Sequence, residues 1–422
     1  MTAEQSAPGI RIDDLAHPVL SPIQSLAKEG AGKIPVSFDV EAILEQARRE
    51  TGLAHFGRDD FQERLSVWLL AVEEDTELGA VGRVGVFRDI VRYAKNRLRF
   101  EDLLARHPEI LDESITRPII IAGLPRSGTT HLLNLIAADT RLRSLPYWES
   151  IEPIPIPGEA AGKDGGDPRL ARCREHYAQQ DMVMPLLKNM HDMAPEHVHE
   201  EIELQCLDFS SYELEWTATV PRWRDYYLGQ DQRPSYAYMK NVLKALQWLR
   251  GPRRWILKSP QHMEQLGPLI DTFPDATVAI THRDPVSVIA SAVTMLCYGD
   301  RVRRTRVDPP AVAAYWIDRV EKLLRACVRD RDLIAPAHSL DVRFHEFMAD
   351  DIATVERIYA LADLEMTTNA RRELDAYMAA NPRGKHGRIL YDLRADFGVE
   401  RDALRERFQF YIDRFGVRVE DR

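Results

Sequence analysis

Residues 123–130 read Gly-Leu-Pro-Arg-Ser-Gly-Thr-Thr, and this loop constrains the fold more than any other stretch of the chain. An apolar run, Ile119-Ile120-Ile121-Ala122, precedes the loop, and a helical pattern over residues 131–138 follows it. A strand, a glycine loop and a helix in this order form an anion cradle, because backbone N–H groups and the positive end of the helix converge on one point. The segment therefore predicts a phosphate or sulfate site.

The loop departs from the P-loop pattern at one informative position. Gly123 and Gly128 have the spacing of G-x-x-x-x-G-K-[ST], but Thr129 stands where that motif has its lysine. That lysine normally reaches the β- and γ-phosphates of a nucleotide. We therefore expect the loop to hold a phosphate group without hydrolysing a triphosphate, with Arg126 as the replacement cation.

Other apolar runs predict further strands of the same sheet. They lie at residues 255–257, 276–281 and 340–344, with helical patterns between them. Strands that alternate with helices predict an α/β fold, in which a central parallel sheet is flanked by helices and ligands bind at the carboxyl ends of the strands. Lys258 and Arg283 each follow a predicted strand, so they should lie beside the glycine loop.

Hydrophobic periodicity divides the chain into a helical N-terminal layer, residues 1–110, and an α/β domain, residues 111–422. Two apolar helix faces define the layer: Phe61, Leu65, Trp68, Leu69 and Val72, then Phe87, Ile90, Val91, Ala94 and Leu98. A helical insertion at 145–250 is rich in methionine and aromatic residues, and its 157–168 stretch is predicted to be a mobile loop. Such residues build either a core or a pocket for an apolar ligand.

Composition excludes several classes of function. The net charge of −10 argues against general nucleic-acid binding, which needs a basic surface. The four cysteines show no C-x-x-C spacing, so we expect reduced, mostly buried thiols in a cytosolic protein. No apolar run approaches the roughly 20 residues of a membrane span. The first residues do not resemble a signal peptide.

A second candidate anion site reads His282-Arg283-Asp284-Pro285, with Ser291 eight positions after Arg283. Two turns of helix separate Arg283 and Ser291, so both could face one phosphate monoester, which a guanidinium and a hydroxyl suit. Together with the loop, this pattern resembles the sulfotransferases that use 3′-phosphoadenosine 5′-phosphosulfate (PAPS). The bacterial branch with an L-K-S-P-x-H element is similar, since residues 257–262 read Leu-Lys-Ser-Pro-Gln-His.

The resemblance implies how this donor would be bound. The loop would hold the 5′-phosphosulfate through Pro125, Arg126, Ser127, Gly128, Thr129 and Thr130. Arg283 and Ser291 would hold the 3′-phosphate, and a late basic-glycine segment, Arg383-Gly384-Lys385, would close over it. No metal is expected, since this donor has no β,γ-phosphate pair to bridge. The acceptor would be a small molecule with a hydroxyl group, and an apolar or lipid-like one suits the insertion.

Catalytic roles follow from the same resemblance. Lys258 is the candidate cation for the bridging oxygen. The general base is left open between Glu149, nineteen residues after Thr130, then His262, and then Glu200 or Glu201. A metal site built from His191, His197, His199 and the neighbouring glutamates is the weaker interpretation of that cluster.

Two rival functions use the same features. A nucleotide kinase or NTPase is disfavoured by Thr129 and by the lack of an acidic magnesium site after a core strand. A non-catalytic nucleotide-binding protein would bind the bisphosphate product without forming a sulfated acceptor. The sequence does not indicate an oligomeric state.

Overall fold

A parallel β-sheet in the centre of the molecule contains all four predicted strands. The computed structural model describes residues 9–162, 165–382, 385 and 387–420. The strands are β1 (Gly9–Arg11), β2 (Ile119–Gly123), β3 (Leu142–Arg143), β4 (Arg254–Ser259), β5 (Thr277–His282), β6 (Ser339–Arg343) and β7 (Arg388–Leu390). Among the described residues, the central sheet has the order β3-β4-β2-β5-β6, and β1 pairs with β7 in a separate two-stranded sheet. The predicted α/β fold is confirmed.

Helices surround the sheet and form the N-terminal layer and the insertion. Before β3 they are α1 (Pro22–Ala31), α2 (Val40–Thr51), α3 (Phe61–Asp75), α4 (Ala80–Arg106) and α5 (Thr129–Ala137). Between β3 and β4 they are α6 (Tyr147–Ile151), α7 (Pro168–Val183), α8 (Leu187–Met190), α9 (Ile202–Gln205), α10 (Glu213–Thr217), α11 (Pro221–Gly229) and α12 (Arg233–Arg250).

The remaining helices follow β4. They are α13 (Leu266–Thr272), α14 (Pro285–Arg303), α15 (Pro309–Asp330), α16 (Phe344–Ala349), α17 (Asp351–Leu361), α18 (Thr368–Ala380), α19 (Leu393–Phe397), α20 (Arg401–Arg407) and α21 (Gln409–Phe415). Short 3-10 helices lie at Pro108–Asp112, Cys206–Asp208, Pro260–Glu264 and Arg331–Leu333. None of the described helices combines the length and apolar character needed to cross a membrane.

Strand β2 shows why the strands read as continuous apolar runs. Successive side chains of a strand point to opposite faces of the sheet. Ile120 and Ala122 join the core on one face, whereas Ile119 and Ile121 join the core formed with α5, α17 and α18 on the other. Because helices cover both faces, every position of the strand is buried.

The N-terminal layer and the insertion share one hydrophobic cluster. Residues of α2, α3 and α4 pack with Phe209, Leu214 and Trp223 of the insertion. All ten residues of the two predicted apolar faces lie in this cluster or pack against it, as predicted. The four cysteines are free and buried, which confirms the expected burial of the thiols.

Several local features differ from the sequence-based expectations. The sequence after the third predicted strand predicts a helix from about Ser287, whereas α14 begins at Pro285, because the Asp284 carboxylate accepts a hydrogen bond from the Val286 N–H and caps the helix. Phe344 opens α16 instead of ending β6. Strand β3 has two residues, too few for a periodic signal. Of the predicted mobile loop, residues 163–164 lie outside the described residues.

Gly123 ends β2 where two side chains leave no room for a larger residue. A Cβ at this position would lie 1.9 Å from Thr281 Oγ1 and 2.6 Å from Thr129 Cγ2. We expect Gly123→Ala to lower the free energy of unfolding by about 1–3 kcal/mol, the usual result of overpacking. A shift of the urea-unfolding midpoint measures the effect.

Gly85 is the matched control for this substitution. It lies in α4, and a Cβ there would meet no atom within 4 Å. We expect Gly85→Ala to raise the stability by roughly 0.5–1 kcal/mol, since alanine restricts the unfolded chain more than glycine does. Equal stability of the two variants would contradict the argument from close approach at Gly123.

Candidate active site

The glycine loop is held against the neighbouring strand by side-chain hydroxyls. The Ser127 hydroxyl donates to the Leu124 carbonyl at 2.6 Å and lies 2.8 Å from the Thr281 hydroxyl at the end of β5. Ser127 is almost fully buried, as is Thr129. These two side chains therefore shape the loop from below, and the exposed side of the loop is formed by backbone and by Arg126.

Backbone conformation gives the loop the character of an anion cradle. Arg126 has φ of 70° and Gly128 has φ of 86°. When right-handed and left-handed helical conformations alternate along the backbone, successive N–H groups point into one concave site that binds anions. Helix α5 begins directly after it at Thr129, and the first N–H groups of a helix have no intrahelical partner. The predicted strand, loop and helix are thus present in that order.

The two anion motifs of the sequence meet in space. Arg126 donates from Nε to the Ser291 hydroxyl at 2.9 Å and from a terminal nitrogen to the Met190 carbonyl. Arg283 donates to the Arg126 carbonyl at 2.6 Å. The loop, the end of β5 and helix α14 therefore form one basic site, although 165 residues separate Arg126 from Ser291.

Arg283 already binds a carboxylate. Its Nε and one terminal nitrogen donate to the two oxygens of Glu420 at 2.7 and 2.8 Å, and its guanidinium stacks on Phe344 at 4.0 Å from the ring centroid. The Glu420 N–H donates to Asp284 at 2.9 Å, which anchors the tail. Nearby on α14, the buried hydroxyl of Ser287 has no hydrogen-bond partner among the described residues.

Lys258 lies at the carboxyl end of β4, almost fully buried, and its ammonium contacts the carboxylate of Glu200. Its backbone N–H donates to Glu201 Oε2 at 2.7 Å. The other oxygen of Glu201 lies 2.6 Å from His262 Nε2, and His262 Nδ1 lies 2.9 Å from the Tyr236 hydroxyl. Glu201 therefore holds the backbone of Lys258, and His262 holds the Glu201 carboxylate.

Glu149 is placed elsewhere. This fully buried residue accepts a hydrogen bond from Arg143 at 2.6 Å and forms an ion pair with Arg250 at 2.6 Å. It does not line the cavity described next, and neither does His262. Of the four candidate bases, only Glu200 thus belongs to the cavity wall beside Lys258.

A cavity of about 530 Å³ lies beside the loop and extends into the insertion. Pro125, Arg126, Thr130, Lys258 and Glu200 line its inner end. Much of the rest of the wall comes from α4, α7, α9, α10 and α14, and its apolar side chains include Val86, Met184, Trp216, Met295 and Leu296. The contribution of α4 was missed by sequence reasoning, because its periodicity indicated only a packed helix.

Burial and positive charge set the protonation of two histidines in the cavity wall. Burial, together with Lys258 and Arg126, lowers the pKa of His191 to about 3. Burial and His191 lower the pKa of His199 well below its usual value. Both imidazoles are therefore neutral near pH 7, and their low pKa values make them weak bases.

The late basic-glycine segment is only partly described. Arg383 and Gly384 lie outside the described residues, and Lys385 is exposed, with its ammonium 3.4 Å from the Asn381 side-chain oxygen. In the part of the chain that the structure covers, no group of three or more His, Cys, Asp or Glu side chains is arranged to hold a metal ion.

Comparison with known proteins agrees with this fold. The family model described as the sulfotransferase family matches residues 118–368, which include the loop, Lys258, Arg283 and Ser291. The chain belongs to the sulfotransferase family. No curated protein sequence matches it significantly.

Two solved structures of similar extent are bacterial sulfotransferases. Sulfotransferase STF1 from Mycobacterium tuberculosis H37Rv is 27% identical, with a TM-score of 0.77 over 88% of this chain and 98% of that one. Sulfotransferase STF9 from Mycobacterium avium is 25% identical, with a TM-score of 0.80 over 92% of this chain and 99% of that one.

The neutral state of His191 predicts a pH dependence of stability. An unfolded histidine has a pKa near 6.5, whereas the folded value is about 3. Between these values the unfolded chain binds a proton that the folded chain does not, so stability falls as pH falls through this window. Replacing His191 by Asn should reduce this loss by up to about 1.4 kcal/mol per pH unit.

Unfolding free energies of the wild type and His191→Asn near pH 7 and pH 5 measure the effect. The exposed His338→Asn variant controls for the loss of a histidine. Identical pH slopes for the wild type and His191→Asn would contradict a buried, neutral His191.

Proposed function

We propose that this sulfotransferase transfers a sulfuryl group from PAPS to a hydroxyl group of a small, largely apolar acceptor. The observation that carries the proposal is the meeting of the two anion motifs, in which Arg126 contacts Ser291 and Arg283 contacts the Arg126 carbonyl. A donor with phosphate groups at both ends of its ribose needs two basic sites close together. PAPS meets this requirement.

The available donor groups fit such a ligand. The loop N–H groups, the start of α5 and Arg126 suit the 5′-phosphosulfate, and Thr130 adds a hydroxyl at the cavity wall. Arg283 and Ser291 suit the 3′-phosphate, and the unpartnered hydroxyl of Ser287 is a further donor on the same helix. Lys385, with Arg383 and Gly384, remains a candidate for closing this end.

Lys258 is assigned to the oxygen that bridges phosphorus and sulfur. When bound, PAPS supplies an activated sulfuryl group, and transfer breaks the bond between sulfur and this bridging oxygen. The acceptor oxygen forms the new bond to sulfur and loses its proton. A buried ammonium beside the loop stabilises negative charge more strongly than it would in water.

Glu200 is the base that this geometry favours. One carboxylate oxygen contacts Lys258, while the other has no partner among the described residues and the side chain lines the cavity. Both nitrogens of His262 are engaged, Glu149 is held by two arginines outside the cavity, and the pKa values of His191 and His199 are too low for a base at neutral pH. The proton of the acceptor hydroxyl passes to Glu200.

The cavity suits the acceptor. Its wall carries the side chains of Val86, Met184, Trp216, Met295 and Leu296, which suit an apolar body. Methionine side chains adapt to irregular ligand shapes. The reacting hydroxyl would then lie at the inner end, between Glu200 and the loop.

Binding of 3′-phosphoadenosine 5′-phosphate tests the paired anion sites. We expect calorimetry to detect tight binding without magnesium, and a loss of at least about tenfold in affinity for Arg126→Ala and for Arg283→Ala, since each removes charge-assisted hydrogen bonds. The exposed Arg325→Ala, far from the loop, is the control. Preference for Mg-ATP, or indifference to both substitutions, would instead support a kinase or NTPase.

Glutamine substitutions separate the candidate bases. We expect Glu200→Gln to lower kcat by about 10²–10⁴ while affinity for the bisphosphate product stays unchanged. Glu149→Gln should lower stability, because it disrupts a buried pair, and leave kcat within about threefold. Steady-state kinetics with labelled PAPS and thermal melts measure both. Loss of kcat in Glu149→Gln with wild-type stability would move the base to Glu149.

The ion pair between Arg283 and Glu420 predicts competition with the ligand. A 3′-phosphate at Arg283 must replace a carboxylate that is held in a bidentate contact. We therefore expect Glu420→Gln to bind the bisphosphate product about tenfold tighter than the wild type, because the competing charge is removed. Adenosine 5′-phosphate, which lacks the 3′-phosphate, is the control ligand. An unchanged ratio of the two affinities would contradict displacement.

A further inference from the structure

The outer part of the cavity carries more negative charge than an apolar acceptor requires. Asp89 on α4, Glu203 on α9 and Glu213 on α10 all belong to its wall. Asp89 is far from the other two in sequence, and the fold brings all three to one chamber beyond Lys258 and Glu200. Glu203 is almost fully buried and Glu213 is partly buried, and because charged groups are expensive to bury, their position at the cavity calls for a partner.

Ion pairs within the protein neutralise only part of this negative charge. Arg92 forms ion pairs with Asp89 at 3.1 Å and with Glu203 at 3.3 Å. Glu213 has no ion pair, and its carboxylate has no hydrogen bond, among the residues that the structure describes. Three carboxylates thus face one guanidinium.

Other charged groups in the wall are engaged or exposed. Glu200 is paired with Lys258, and Arg303 donates to the Trp216 carbonyl at 3.4 Å and lies 3.6 Å from Asp300. Arg88 is exposed to solvent, one helical turn before Arg92. Arg92 also acts on Glu213 electrostatically, but no cation in the described part of the wall forms an ion pair with it.

Protonation behaviour supports the same conclusion. Burial, and then the charges of Glu203, Glu200 and Asp89, raise the pKa of Glu213 well above its usual value. Burial also raises the pKa of Glu203, against the opposing effect of Arg92. A bound cation would relieve this repulsion and would allow these carboxylates to ionise.

We infer that the acceptor is a cationic amphiphile, with a protonated amine held at Glu213 and Glu203 and an apolar body along Trp216 and Met295. The inference rests on the proposed function, because it names the acceptor class for the same cavity. Trp216 lies three residues after Glu213, and an aromatic face also attracts an ammonium group. The acceptor hydroxyl would then reach Glu200 at the inner end.

Three ligands with one chain length test the charge preference. Calorimetry on the full chain, saturated with 3′-phosphoadenosine 5′-phosphate, compares octylammonium, octanol and octanoate. We expect octylammonium to bind at least about tenfold tighter than octanol, as for a charge-assisted contact in a buried site. Octanoate should bind weakest. Tightest binding of octanol or octanoate, or no binding of octylammonium, overturns the inference.

Substitutions test which residue causes the preference for octylammonium over octanol. Glu213→Gln should reduce the advantage of octylammonium over octanol to less than about threefold, whereas Glu73→Gln, an exposed acid on α3, should leave it intact. Gly85→Phe places a large side chain at the cavity wall and should weaken all three ligands, with Gly85→Ala as its control. A preference that survives Glu213→Gln overturns the assignment.

The outcome for the proposed function is read separately. The same titrations report the affinity for the bisphosphate before any amphiphile is added. If the bisphosphate fails to bind while the unloaded protein still prefers octylammonium, the proposed donor is wrong and the acceptor inference stands. If the bisphosphate binds and the preference for octylammonium is missing, the proposed donor stands and the acceptor inference is wrong.

Discussion

The contact between the glycine loop and the end of β5 is the interaction on which the rest of the site depends. Ser127 and Thr281 share a hydrogen bond there, Gly123 lets the two strands' ends approach, and Arg283 binds the Arg126 carbonyl. These contacts are short and buried, so they fix the loop in a low-dielectric setting where each hydrogen bond has a larger effect. The Arg126 side chain then reaches Ser291, which joins the loop to α14.

A second constraint is the way in which charge is buried around Lys258. Its ammonium is paired with Glu200, and its backbone is held by Glu201, which in turn binds His262. Removal of one member would leave an uncompensated buried charge, a change that usually costs several kcal/mol. This network explains why four ionisable residues from two distant segments occupy one position at the carboxyl edge of the sheet.

The helical additions do more than cover the sheet. Helix α4, at first sight a packing element, shares a core with the insertion and also supplies Asp89, Arg92 and Tyr93 to the cavity. The N-terminal layer and the insertion therefore line the cavity together, whereas the sheet positions the glycine loop, Lys258 and Arg283. The division into an N-terminal layer and an α/β domain remains a prediction about chain organisation.

The sequence by itself determined the fold class, the loop and the residues that surround it. Local periodicity reveals the strands, and short motifs reveal the glycine loop and the positions of Arg126, Lys258, Arg283 and Ser291. Both kinds of pattern can be seen directly in a single sequence. The family match over residues 118–368 agrees with that prediction.

Only the tertiary structure decided which acids face the ligand. Glu149 fits the expected spacing, but two arginines hold it outside the cavity, and Glu200, adjacent in sequence to the buried Glu201, is the one that reaches Lys258. Arg283, the partner of Glu420, lies on a segment distant in sequence. Such contacts depend on how helices pack, and no local pattern encodes the distance between two side chains that the chain brings together only on folding.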